Sequence, residues 1–239
     1  MRPKWRSTLA RLAIILAAVS SPAAARAQTI SLDEGAFRII MGGREVGRET
    51  FVIRQSGSGS GAVIIAQGRV VLDTIGGAAE LSPSLEVVGA SLRPSAYQVE
   101  VRGPGAQRIA GRLVGGRFSA RIVSDEGEQM REYLASDGAV LLDESIAHHY
   151  YFLARRLNGA PFRVPVIIPR QSRQVSATVT PRGTENIVIA GESVQARRMT
   201  VEPASGAVRH VWVDAQGRVL RVEIPAARGY VAERTAVPR

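Results

Sequence analysis

Ser145, His149 and Asp143 have the side-chain types of a hydrolase triad: a hydroxyl nucleophile, an imidazole base and a carboxylate to orient it. They crowd one predicted helix start, whereas a working triad converges from separate elements, and no Gly-x-Ser-x-Gly elbow occurs. No catalytic residue is therefore assigned, and the chain reads as a non-enzyme. His148 and His149 are adjacent, so on a helix their side chains point about 100° apart and cannot hold one ion together. His149 reads as a hydrogen-bonded core histidine and His148 as solvent-facing. A zinc site would need His210 with Asp214 or Glu223, and nothing in their spacing requires it. No metal site and no cofactor are expected. The run from Ser56 to Gly61 superficially matches a phosphate loop but lacks the following Lys and helix. Glu126, Glu128 and Glu132, near Asp125, are not set by hairpin spacing at a glycosidase distance.

The most informative set lies near the C-terminus. His210, Trp212 and Asp214 share one face of a predicted strand, because strand side chains alternate. If Asp214 pairs with Arg218 around Ala215-Gln216-Gly217, Trp212 faces Leu220 and His210 faces Val222. That face continues to Ile224 and reads as the buried or concave one. Trp212, His210, Leu220 and Val222, with Tyr150 of the helix, are the candidate lining of an apolar ligand cleft. The competing reading makes Trp212 a core anchor.

The elements that must position these residues are mostly strands. Period-two patterns punctuated by turn residues run through the chain. Strands are expected at Ala36 to Met41, Val46 to Arg54, Ala62 to Leu72 (with a bulge at Gly68), Glu80 to Val88 and Ala96 to Arg102. Arg108 to Val114 and Arg117 to Val123 form a hairpin on Gly115-Gly116, pairing Leu113 with Phe118. Gln129 to Ala135 and Ala139 to Leu142 are expected to form another around Asp137-Gly138. One amphipathic helix, Ser145 to Leu157, is capped by Asp143 or Ser145 and stopped by Asn158-Gly159 and Pro161. Strands resume at Arg163 to Ile168, Val175 to Thr180, Asn186 to Ile189, Val194 to Val201, His210 to Asp214 and Arg218 to Ile224. Tyr230 to Arg234 is expected as a last edge strand. Repeated helix crossovers are missing, which argues against a parallel sheet. The expected fold is mainly β: a strongly twisted antiparallel sheet, an open half-barrel or clam, with one amphipathic helix, in a single domain over 28–239.

The first 27 residues read as a signal peptide. Arg2, Lys4, Arg6 and Arg11 precede an apolar run from Leu12 to Val19, and Ala25-Arg26-Ala27 suits cleavage between Ala27 and Gln28. The run is too short to cross roughly 30 Å of hydrocarbon, so no integral span is expected after cleavage. A periplasmic or secreted protein follows. The chain has 239 residues, 31 basic and 21 acidic, for a net charge of +10. The leader holds five of the basic residues and no acid, so the remainder carries 26 basic residues against 21 acidic, or +5. No dense Arg run with interleaved aromatics occurs, so nucleic acid is not an expected partner. With no Cys, disulfides, cysteine zinc sites, thiol catalysis and a lipidated N-terminal cysteine are excluded.

The stretches Phe37-Arg38-Ile39-Ile40-Met41-Gly42-Gly43-Arg44-Glu45-Val46-Gly47, Val140-Leu141-Leu142-Asp143-Glu144-Ser145, Val166-Ile167-Ile168-Pro169 and Val211 to Leu220 resemble uncharacterised bacterial secreted or periplasmic β-sheet envelope families, domains of unknown function. More distantly the pattern is similar to the open half-barrel of the LolA and LolB lipoprotein carriers. The resemblance implies an antiparallel sheet curled around a helix and carries no reactive residue. Three functions are weighed: a binder of an apolar envelope ligand such as a lipid or acyl chain, an envelope protein-interaction module, and a hydrolase of unknown substrate.

Overall fold

The computed structural model describes residues 29–135 and 138–239. The predicted signal peptide, its cleavage point at Ala27 and Gln28, and Asp137 of the predicted turn lie outside these residues. The first eight strands are β1 (Thr29–Met41), β2 (Arg44–Ser56), β3 (Val63–Thr74), β4 (Gly77–Val88), β5 (Arg93–Arg102), β6 (Gln107–Val114), β7 (Arg117–Ser124) and β8 (Gly127–Leu134). After the two-residue β9 (Val140–Leu141), a 3₁₀ turn at Ala147–His149 runs into α1 (Tyr150–Ala154). Then come β10 (Phe162–Ile168), β11 (Arg173–Ile189), β12 (Glu192–Pro203), β13 (Arg209–Val213), β14 (Val219–Ile224) and β15 (Tyr230–Arg234).

The 15 strands of the described residues form one sheet, ordered β8-β7-β6-β5-β4-β3-β2-β1-β15-β14-β13-β12-β11-β10-β9. Each pairing is antiparallel except β9 with β10. The sheet curls around α1 without closing, which matches the expected half-barrel. Hairpin chemistry explains most of the order. Gly115 and Gly116 take φ of 55° and 81°, the left-handed values of the favoured two-residue turn, and Leu113 pairs with Phe118 as the spacing requires.

Three topological expectations fail. Tyr230–Arg234 is not an edge: β15 lies mid-sheet, its Phe37↔Arg234 to Ile40↔Val231 register with β1 joining the two halves. The hairpin expected around Asp137-Gly138 does not form, since β8 pairs with β7 while β9 pairs in parallel with β10. β8 and β9 are the true edges. Between them Gln174 of β11 acts as a side-chain strand, donating to the Leu134 carbonyl at 2.6 Å and accepting its N–H at 3.0 Å. Gly68 is no bulge either, because its register against β2 is continuous. A Cβ there would sit 2.7 Å from His148 Cε1, so the glycine makes room for an imidazole.

The helix is shorter than the expected Ser145 to Leu157 span. Its start is also capped differently. Ser145 adopts φ 60°, outside the helix, and its side chain makes no cap. The Asp143 carboxylate accepts the N–H of Glu144 instead of one inside the helical turn. Tyr150 to Ala154 are all buried, on every side of α1. A segment apolar all round belongs inside, and α1 fills the concave side of the sheet. Its Tyr150 and Leu153 join Phe37, Ile53, Leu85 and Val211 in the main core. A second, small core gathers Ile187, Ile189, Ala196, Trp212 and Leu220. Among the described residues, no helix is long and apolar enough to cross a membrane.

Candidate functional site

Glu49 falls at the inward phase of β2, in step with Phe51 and Ile53, and is completely buried. A bare carboxylate there would cost several kcal/mol. It is fully engaged. Ala147 and His148 donate their backbone N–H groups to its two oxygens at 2.7 and 2.9 Å, and His148 Nδ1 lies 2.6 Å from Oε1. Glu49 therefore caps the helical turn from across the core, supplying acceptors that the local sequence does not. His148, expected in solvent, is fully buried and stacks on Phe51 with ring centroids 5.4 Å apart. The helix places it there because its inward side meets β2 and β3, where Gly68 leaves a hole.

His149 is also fully buried, as expected of a core histidine, and its ring meets His148 edge-on at 4.8 Å. Its Nδ1 accepts the Asp143 N–H at 3.4 Å. Burial holds its imidazole well below the ordinary histidine range, and the neighbouring His148 and Arg170 charges push the same way. The Asp143 carboxylate accepts the Tyr97 hydroxyl at 2.8 Å and lies 3.2 Å from Arg170 Nε. Burial and that carboxylate raise the Tyr97 phenol well above its usual value. So Ser145, His149 and Asp143 are close in chain but do not form a relay: the carboxylate is engaged by Tyr97 and Arg170. Among the described residues, no cluster of His, Asp and Glu is arranged to hold a metal ion.

Above this network opens a cleft of about 200 Å³. Met41, Leu142, Ile146, Ile168 and Ile224 make its apolar wall, and Tyr150, Tyr230, Arg173 and Arg209 add polar groups. The Tyr230 hydroxyl is buried without a hydrogen-bond partner. Burial, then the Glu49 charge, raises its pKa well above the usual value. Tyr150 is raised by burial too, an effect opposed by the charge of Arg209.

Of the sequence-predicted ligand residues, Tyr150 lines this cleft; Trp212, His210, Leu220 and Val222 do not. The expected hairpin register is wrong by a bulge. Asp214 does pair with Arg218 at 2.6 Å, but Trp212 faces Arg221 and His210 faces Glu223, while Val213 faces Val219. Leu220 is the extra residue, and the bulge turns it toward Trp212 in the small core. Val222 stays in the main core with Tyr150. The predicted set is thus split, with Tyr150 and Val222 in the main core, Trp212 and Leu220 in the small one, and His210 beside Trp212 with ring centroids 6.3 Å apart. Trp212 donates its indole N–H to Glu185 at 2.5 Å, and the Arg198 guanidinium lies 5.1 Å from its ring centroid. The residues missed from sequence are Glu49, Tyr97, Arg170, Arg173, Arg209 and Tyr230. A charged residue at the inward phase of an apolar strand was the available signal for Glu49; the arginines carry no such mark.

No family model matches the chain, and no curated protein matches it. Among solved structures it is similar to a β-barrel-like protein of the domain of unknown function DUF1849 from Brucella abortus, at 10% identity and a TM-score of 0.57, covering 84% of this chain and 94% of that one. It also matches a DUF1089 family protein from Pseudomonas aeruginosa at 16% identity and a TM-score of 0.45, over 75% of this chain and 90% of that one. The first likeness is one of fold: an unclosed, barrel-like antiparallel sheet.

Proposed function

We propose that this chain is a non-enzymatic binding protein for an apolar ligand such as a lipid or acyl chain, working in the periplasm or after secretion. The observation that carries the reading is the apolar cleft beside Tyr150 and Tyr230, at the open end of a sheet wrapped around a helix. Pockets of this kind, apolar with a few convergent polar groups, suit ligand binding. The engagement of the Asp143 carboxylate by Tyr97 and Arg170, which leaves Ser145 and His149 without a relay, supports the non-enzymatic part, and the leader-like first 27 residues support export. Native mass spectrometry of gently purified protein tests the ligand. A co-purifying lipid mass is expected; protein that carries none and takes up no alkyl probe overturns the reading. Fractionation tests export, since an uncleaved cytosolic product is incompatible with it.

A second reading, an envelope protein-interaction module, draws on β8. Leu134 turns its backbone groups away from β7 toward Gln174, so by alternation Glu128, Met130 and Glu132 present theirs outward too. An edge of this kind can accept a partner's strand. A co-purifying protein that is lost when Met130→Pro is introduced would favour it.

A further inference from the structure

We propose that the cleft takes a single alkyl chain bearing one carboxylate, with Arg173 and Arg209 holding the head group; this rests on the ligand-binding reading above. Size limits the tail first. About 200 Å³ has room for a short alkyl chain and is too little for a diacyl lipid. The wall of Met41, Leu142, Ile146, Ile168 and Ile224 is the part a tail would cover.

Charge selects the head. Arg173 has neutral partners only: Gln171 Oε1 at 3.3 Å, and the Ser205 hydroxyl and carbonyl at 2.8 and 3.4 Å. Arg209 donates to the Ala207 carbonyl at 2.7 Å. Neither guanidinium has a carboxylate partner, in contrast to Arg69 with Glu80 and Arg121 with Glu128. Two acids also line the cleft. Asp143 is neutralised by Arg170, and Glu144 accepts from the Gln171 amide. With Arg170 counted, the cleft carries one net positive charge, which matches a monoanion. A planar guanidinium fork binds a carboxylate with two parallel hydrogen bonds. The buried, unpartnered Tyr230 hydroxyl is a further donor at the wall of the same cleft. An oxyanion there would satisfy a group that is otherwise costly to leave unpaired.

Calorimetric titration of the purified full chain at pH 7.5 tests the assignment with octanoate, octan-1-ol, octyl phosphate and acetate. Octanoate is expected to bind at least tenfold more tightly than octan-1-ol and more tightly than octyl phosphate, while acetate, lacking the tail, does not saturate. The double variant Arg173→Gln/Arg209→Gln should lose at least tenfold for octanoate and much less for octan-1-ol. Tyr230→Phe should lose a few-fold for octanoate alone. Equal affinity for octanoate and octan-1-ol in the wild-type chain, or an octanoate affinity indifferent to the arginines, overturns the head-group assignment but leaves the apolar-ligand reading standing. Tighter binding of octyl phosphate overturns the carboxylate. Failure of both octanoate and octan-1-ol to bind overturns both readings. The wild-type comparison stands even if the double variant does not fold.

Discussion

Two clusters of unusual side chains occupy opposite faces of the same sheet, and they are held in different ways. Around Glu49 the partners come from β2, the helical turn and β5, up to about a hundred residues apart in sequence. Around Trp212 they come from the β11–β12 and β13–β14 hairpins, which are neighbours in chain and in space. The inner cluster contains groups that must be ionised or hydrogen-bonded in a dry core, so each tolerates only its specific partner. The outer cluster is mainly apolar contact supplemented by one indole hydrogen bond, and apolar contact accepts substitutes. Desolvation therefore makes the Glu49 cluster the more brittle of the two.

That contrast can be broken by mutation. Glu49→Ala strips the acceptor from two backbone amides and leaves His148 without its carboxylate; a loss of about 3–5 kcal/mol is expected in urea unfolding. Glu49→Gln keeps one carbonyl acceptor and should lose less. If the two variants are equally mild, the inner cluster is not the brittle one. Trp212→Ala should cost about 3 kcal/mol, at the low end for a buried aromatic because the small core borders solvent. Trp212→Phe keeps the ring and loses the Glu185 bond, for about 1 kcal/mol. Since Trp212 lies outside the cleft, its fluorescence should not respond to alkyl ligands that bind there.

A pH titration sharpens the comparison further. His149 has a folded-state pKa depressed below the usual value near 6.5, so the unfolded chain binds more protons in that range. Its contribution is fully present above about pH 6.5 and is lost as pH falls below it, by at most about 1.4 kcal/mol per pH unit for one proton. His149→Phe should flatten the stability curve between about pH 6.5 and 5; an unchanged slope would assign the acid sensitivity elsewhere. Smallest of all, removing the exposed Arg121–Glu128 pair by Arg121→Ala should leave the denaturation midpoint unmoved, because exposed pairs are screened by water and salt.

Local chemistry was readable without coordinates. The alternation that marks Phe51 and Ile53 as inward, the two glycines that turn β6 into β7, and the Asp214–Arg218 closure around Gly217 all depend on residues a few positions apart. So does the prevalence of antiparallel strands, which short turns impose. What tertiary structure alone decided is which distant strand each element meets. Nothing near Tyr230 to Arg234 announces that β15 will be gripped by β1, nearly two hundred residues earlier, because strand pairing is made through backbone groups common to every sequence. The bulge at Leu220 moved one side chain across the sheet and divided the predicted ligand set, since a one-residue slip reverses facing. Glu49 shows the same division within one residue. Its inward phase was written in β2, but its roles as helix cap and His148 partner exist only once the curled sheet brings it against Ala147, where burial makes an unmet amide or carboxylate too costly to leave unpaired.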